Sequence, residues 1–157
     1  MTIPASHSAQ VQRLVILVSQ YHERVTGRLL EGARAACREA GIPDDQVDVV
    51  SVPGAFELGV AAAAAAASDN YDCIVALGVV IRGETPHFDY VAGETARALA
   101  EIATRELIPV GFGLLTTDTL EQALERAGGT AGNKGREAAE AALHALGAIQ
   151  WLLADDD

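Results

Sequence analysis

Aromatic side chains are scarce, only 4% of the sequence, although half of it is apolar. The core must therefore be assembled from Ala, Val, Leu and Ile. Cysteine is almost absent. Cys37 falls on a predicted helix and Cys73 at the head of a predicted strand, and both read as buried, reduced thiols. Two cysteines with no histidine cluster make no metal site. Basic residues are also few, 11 Lys and Arg against 22 Asp and Glu, for a net charge of −11. That balance argues against a nucleic-acid backbone as partner, since no basic surface exists to displace counterions. It does not argue against a phosphorylated small molecule, which needs only a few local donors. The smooth run "GVAAAAAAAS" (59–68) is too short to span a bilayer. The start, "MTIPASHSAQVQ", has no apolar segment of the kind a secretory signal carries, so a cytoplasmic protein is expected.

What is present is a regular alternation of patterns over 157 residues, a length that suits one domain. "RLVILVSQ" (13–20) reads as a strand, and 23–40 as a helix with Val25, Leu29, Ala33, Ala36, Cys37 and Ala40 on one face. "QVDVVSV" (46–52) alternates as a strand, and 54–68 is a run of strong helix formers. "CIVALGVVI" (73–81) is the third strand, 89–107 the third helix, and "PVGFGLLT" (109–116) the fourth strand. A helix over 118–128 opens with Asp118 and Glu121 at capping-box spacing. A glycine-rich turn, 128–133, precedes a last helix from 134 to 153, with Ala138, Ala142, Ala145, Leu146, Ile149 and Leu153 along one side. Strands this apolar are buried on both faces. The prediction is an α/β fold, a three-layer αβα sandwich around a four-stranded parallel sheet, with one domain over 13–154 and a flexible segment over 1–12.

Ligands in such folds bind beyond the carboxyl ends of the strands. After the first strand come Tyr21 and His22. After the second come Pro53, Gly54, Ala55, Phe56 and Glu57. After the third comes "RGETPHFDYV" (82–91), and after the fourth Thr116, Thr117 and Asp118. The loop Gly83–Glu84–Thr85 is either an ordinary turn or a cradle offering N–H groups and a hydroxyl to an anion. His87 just beyond it is the candidate acid/base, since imidazole takes and gives protons near neutrality. His7, in the polar start, and His144, on the last helix, carry no such context. Tyr21 and Phe56 either flank a flat heterocycle or, for Phe56, fill core. Glu57 suits a helix start and can also accept hydrogen bonds from a polyol. Arg126 is a surface cation or a phosphate clamp. Lys134 is the sole lysine, in a glycine-rich turn before a helix; that position suits a ligand contact, and not necessarily a covalent one.

Four stretches together, "VPGAFE" (52–57), "ALGVVIRGETPHFDYV" (76–91), "LLTTDTLEQALERAG" (114–128) and "AGNKGREAA" (131–139), resemble the 6,7-dimethyl-8-ribityllumazine synthase family. The likeness runs from about residue 13 to 150. It implies a flavodoxin-like fold and condensation of 5-amino-6-(D-ribitylamino)uracil with 3,4-dihydroxy-2-butanone 4-phosphate, through an imine between the two substrates. The resemblance implies no metal or organic cofactor. On the matching positions, the resemblance gives Tyr21 the ring-stacking place. Ala55, Phe56 and Glu57 line the ring and ribityl site, and Val79, Val80 and Ile81 supply wall and backbone groups. Glu84 and Thr85 fall in the phosphate loop, and His87 is the proton-transfer residue. Phe112, Arg126 and Lys134 come from the neighbouring subunit, Phe112 onto the ring, Arg126 onto the phosphate and Lys134 onto the polar chain.

The resemblance also implies self-association. The family forms pentamers, and some members assemble shells. The polar, proline-bearing start is not an obvious strand of the kind shell-formers use, so a pentamer or a pair of them is expected; the short glycine turn points the other way. The sequence departs from the family at His22, where Asn is usual, and carries Tyr21 where Phe or Trp is commoner. The departure leaves a second reading, a riboflavin-binding or storage homologue without turnover. His87, Arg126 and Lys134 together favour the enzyme.

Overall fold

Each apolar run becomes a strand whose alternate side chains feed two separate cores. The computed structural model of the chain describes residues 9–154; His7 and the acidic tail lie outside them, as does the part of the predicted N-terminal segment over 1–8. The strands β1 (Leu14–Ser19), β2 (Val47–Val52), β3 (Cys73–Ile81) and β4 (Val110–Thr117) form one parallel sheet in the order β2-β1-β3-β4. Between and after them run α1 (Glu23–Glu39), α2 (Leu58–Ala67), α3 (His87–Glu106), α4 (Leu120–Glu125) and α5 (Lys134–Leu153). Leu14, Ile16, Val18, Val75 and Leu77 face α1 and α5, while Val15, Leu17, Ile74 and Ala76 face α2 and α3. This is a three-layer arrangement, as expected.

The central strands β1 and β3 are buried almost throughout, as their composition predicts. The expectation of full burial fails at the two edges. β2 is only half-buried, and β4 exposes Phe112 and Thr116, because an edge strand has a neighbour on one side only. No aromatic side chain is among the buried core residues. Glycine instead allows close approach of backbone to sheet. A Cβ at Gly111 would stand 2.3 Å from the Ala138 carbonyl oxygen, so α5 lies directly on β4. Cys37 and Cys73 are free and buried, and burial pushes both thiols above their usual range.

Several boundaries differ from the sequence reading. The helix expected over 54–68 opens as a 3-10 turn, Ala55–Glu57, before α2. The capping box lies one residue later than expected. Thr119 Oγ1 accepts from the Gln122 N–H at 3.1 Å, and Gln122 Oε1 accepts the Thr119 N–H at 3.4 Å. Gln122 Oε1 also takes the Asp118 N–H at 2.8 Å, which leaves Asp118 outside the helix. Helix α4 then stops early, because Gly128 turns the chain with φ +95°. The glycine-rich turn is a small antiparallel ribbon, β5 (Ala127–Gly129) with β6 (Gly132–Asn133). Asn133 caps α5 through its Oδ1, which accepts from Gly135 and Arg136. Ala40 falls just past α1 and is exposed, and on α5 Ala145 and Leu153 are exposed, the buried stripe being Ala138, Ala139, Ala142, Leu146 and Gly147. His144 is exposed.

Candidate active site

The strand order reverses between β1 and β3, since one connection leads outward to β2 and the other to β4. Side chains cannot close the space at the carboxyl ends of two strands whose connections diverge. A cleft of about 840 Å³ opens there, within the range of small-molecule sites. Its walls come from the segments after β1, β2 and β3 and from the first two turns of α3.

The segment after β1 is held against the segment after β2. The Gln20 N–H donates to the Val52 carbonyl at 2.8 Å and the Tyr21 N–H to that of Pro53 at 3.1 Å. His22 then takes left-handed backbone, φ 64°, and starts α1 by accepting from Val25 and Thr26. The Tyr21 and His22 rings meet edge to face, centroids 4.4 Å apart, and Tyr21 is 69% exposed. After β2, the Ala55–Glu57 turn is tied to α3 by the buried Thr95 hydroxyl, which donates to the Ala55 carbonyl at 3.2 Å. Ala55 is buried, whereas Phe56 is 62% exposed, so the core alternative for Phe56 is excluded. Val79, Val80 and Ile81 form the floor.

His87 is not in a loop, as expected, but is the first residue of α3. Pro86 has the φ that a helix start requires, and Thr85 Oγ1 accepts the His87 N–H at 3.4 Å. "Thr-Pro" was the overlooked start signal. The Thr85 hydroxyl keeps its own proton free to donate. The helix start at His87 also turns Phe88, Tyr90, Val91 and Glu94 onto the cleft, which the sequence reading missed. The spacing of Tyr90, Val91 and Glu94, three, four and seven residues after His87, was the available signal for those three.

The structure thus brings Tyr21, Ala55, Phe56, Glu57, Val79, Val80, Ile81, Thr85 and His87 to one cavity. It does not bring Glu84, Phe112, Arg126 or Lys134 into it. Glu84 is exposed beside the cleft. Phe112 is 52% exposed on β4. Arg126 and Lys134 are joined to each other, the Lys134 N–H donating to the Arg126 carbonyl at 2.9 Å, at the junction of α4 and α5. Their side chains meet Gln122 and Glu137. Among the described residues, no group of three or more His, Cys, Asp or Glu side chains is placed to hold a metal, and no helix is long and apolar enough to cross a membrane.

An aromatic-flanked cleft with two imidazoles, His22 and His87, and two carboxylates, Glu57 and Glu94, fits proton transfer on a flat, partly polar ligand. Sequence comparison agrees in kind. A sequence model of 6,7-dimethyl-8-ribityllumazine synthase matches residues 11–150. The chain is 53% identical over 146 residues to a 6,7-dimethyl-8-ribityllumazine synthase of Gemmatimonas aurantiaca, covering 93% of this chain and 89% of the relative. It is 49% identical over 137 residues to one of Chlorobium phaeobacteroides, covering 87% and 88%. With the match spanning nearly the whole length of both chains and running through every wall of the cleft, this chain belongs to the 6,7-dimethyl-8-ribityllumazine synthase family of riboflavin-biosynthesis enzymes.

Proposed function

We propose that the chain condenses 5-amino-6-(D-ribitylamino)uracil with 3,4-dihydroxy-2-butanone 4-phosphate, giving 6,7-dimethyl-8-ribityllumazine, phosphate and water. One observation carries this reading. The chain has three Phe, three Tyr and one Trp, and none is in the buried core. Four of these seven, Tyr21, Phe56, Phe88 and Tyr90, line the same cleft as His87. Exposed aromatic surface is unfavourable in water unless a ligand covers it.

In this reading Tyr21 and Phe56 flank the pyrimidine, and Glu57 accepts from ribityl hydroxyls. Val79, Val80 and Ile81 offer wall and backbone groups. The Glu84–Thr85 loop receives the phosphate through main-chain N–H groups and the Thr85 hydroxyl. The 5-amino group adds to the ketone, and His87 moves the proton that lets water leave, so the imine joins the two substrates and not Lys134. The C–O bond to phosphate then breaks with its electron pair on oxygen, where Arg126 stabilises the charge. That cleavage is paired with loss of the proton from C3, and the enol so formed takes up a proton at C4 to give a methyl group and a new C3 ketone. The second amine closes the ring on this new carbonyl, with loss of water. Atoms balance without any oxidant or reductant, so no cofactor is assigned. Holding both reactants together supplies much of the remaining rate.

Phe112, Arg126 and Lys134 complete the site from a neighbouring subunit in a ring, a pentamer or a multiple of it. The exposed Phe112, and the distance of all three residues from the cleft of their own chain, support this arrangement. We assign the protein to the cytoplasm and residues 13–154 to a single catalytic domain. The test mixes purified protein with both substrates and follows lumazine absorbance and fluorescence against the uncatalysed background. No acceleration removes the enzyme reading. Inactive His87→Ala and Arg126→Ala proteins, mixed in equal amounts with subunit exchange, should recover activity at about a quarter of the sites, since each site needs an intact half from each of two copies. No recovery after demonstrated exchange removes the shared site.

A further inference from the structure

The segment 82–87, which ends on the first residue of α3, buries none of its side chains. Packing therefore does not hold it, and Arg82 is what touches its surroundings. The Arg82 N–H donates to the Thr117 carbonyl at 2.8 Å, prolonging the β3–β4 ladder by one bond. Its side chain makes three further contacts. Nε donates to Asp118 Oδ1 at 3.0 Å, on the loop leaving β4. Nη1 lies 3.6 Å from Asp89 Oδ1, in the first turn of α3. The guanidinium carbon stands 4.3 Å from the centroid of Phe88, which lines the cleft.

We propose that Arg82 is a positioning residue, a clamp that fixes the start of α3, and with it His87 and Phe88, against the exit of β4. The inference rests on the condensation reading only for its effect on turnover. Arg82 is not itself a phosphate ligand. Two carboxylates already neutralise its charge, and its planar face is spent on Phe88. The choice of arginine follows from the geometry. Only a planar fork contacts two acidic groups from its edge while stacking on a ring with its face. The ion pairs are half-exposed and contribute little to global stability. Their effect is on the place of His87, where a displacement on the order of 1 Å costs about a hundredfold in rate.

Two variants and two readouts test this. Arg82→Met keeps the length of the side chain and removes fork and charge. Amide hydrogen exchange, which needs no substrate, should accelerate over residues 83–90 and stay unchanged in β1 and β3. In the condensation assay kcat should fall about ten- to a hundredfold, with KM for the pyrimidine and the melting temperature held. Arg82→Lys, which keeps the charge over the ring, should recover at least about threefold of that loss. Arg105→Met, removing the ion pair to Glu101 at the far end of α3, should leave both readouts at wild-type values. Unchanged exchange over 83–90 in Arg82→Met overturns the clamp. So does an unchanged kcat in the presence of an active wild type. If the wild type itself does not accelerate the reaction, the functional reading fails, and the exchange result alone decides for or against the clamp.

Discussion

The two ends of the sheet solve opposite problems with similar residues. At the amino end, Arg13 pairs bidentately with Asp48, at 2.8 and 2.7 Å, and the Tyr71 hydroxyl donates to the same carboxylate at 2.8 Å. Asp72 accepts the N–H groups of Gln12 and Arg13. At the carboxyl end, Tyr21, His22, Glu57 and His87 line a cleft, and among the described residues their side chains make no hydrogen bond or ion pair. A closed network offers nothing to a ligand, and an open set has bonds left to make. The difference separates a region built for rigidity from one built for chemistry, within one set of strands.

The largest effect that could break the comparison comes from removing an open-end group. His87→Ala should lower kcat by about 10²- to 10⁴-fold while the melting temperature and pyrimidine binding stay near wild type, because the imidazole is exposed and packs nothing. Steady-state kinetics beside a thermal melt checks both halves. Wild-type turnover would remove His87 from proton transfer, and a melting point several degrees lower would place it among the structural residues.

This contrast also explains what could be read from sequence. The four parallel strands and the layers were legible because continuous apolar runs between helices admit few other arrangements, whereas the order β2-β1-β3-β4 was not. The cleft floor, Val79, Val80 and Ile81, came only from the family resemblance, while the flanks were legible because the rule of strand ends points to Tyr21, Phe56, Glu57 and His87 whatever the exact boundaries. The α3 wall was not. Setting that helix to begin at 89 left His87 on a loop and hid Phe88, Tyr90 and Val91, although Thr85 and Pro86 mark the start. The shift of the capping box from Asp118 to Thr119 was not legible either, since both residues can cap. What selects Thr119 is the side chain of Gln122, whose oxygen reaches back to both N–H groups. Arg126 and Lys134 lie away from the cleft of their own chain, and their part in it belongs to the proposed shared site.

A smaller effect separates glycines that serve contact from glycines that do not. Gly135 lies in the first turn of α5, where a Cβ would stand 2.0 Å from the Leu29 carbonyl oxygen of α1. Gly27 lies on the exposed face of α1 with nothing within 4 Å of such a Cβ. Helix propensity alone favours alanine at both by about 1 kcal/mol. At Gly135 the clash is with backbone, which cannot rotate away, and overpacking of about 1–3 kcal/mol outweighs the propensity. Gly135→Ala should therefore lower the melting temperature, and Gly27→Ala should raise it by the equivalent of about 0.5–1 kcal/mol. Thermal melts at one fixed protein concentration check the pair, since self-association makes the midpoint concentration-dependent. Equal shifts of the same sign would show that α1 and α5 do not pack at Gly135 as described.

The smallest effect probes the closed end. Hydrogen bonding from Arg13, and then from Tyr71, holds the Asp48 carboxyl below its usual range. A carboxyl whose folded pKa is depressed contributes stability above its unfolded pKa, about 3.9, and loses it as pH falls through the folded value. Asp48→Asn should therefore melt lower than wild type by a constant margin from neutrality down to about pH 4, and that margin should close below it. Glu39, held low by Arg136, titrates in the same acidic range but is present in both proteins, so it cancels from the difference. The groups are partly exposed, so added salt should shrink the margin as well. A margin that ignores both acid and salt would mean that Asp48 acts through its shape alone. The amino end would then owe its rigidity to packing, and side-chain pairing would no longer separate it from the unpaired groups of the cleft.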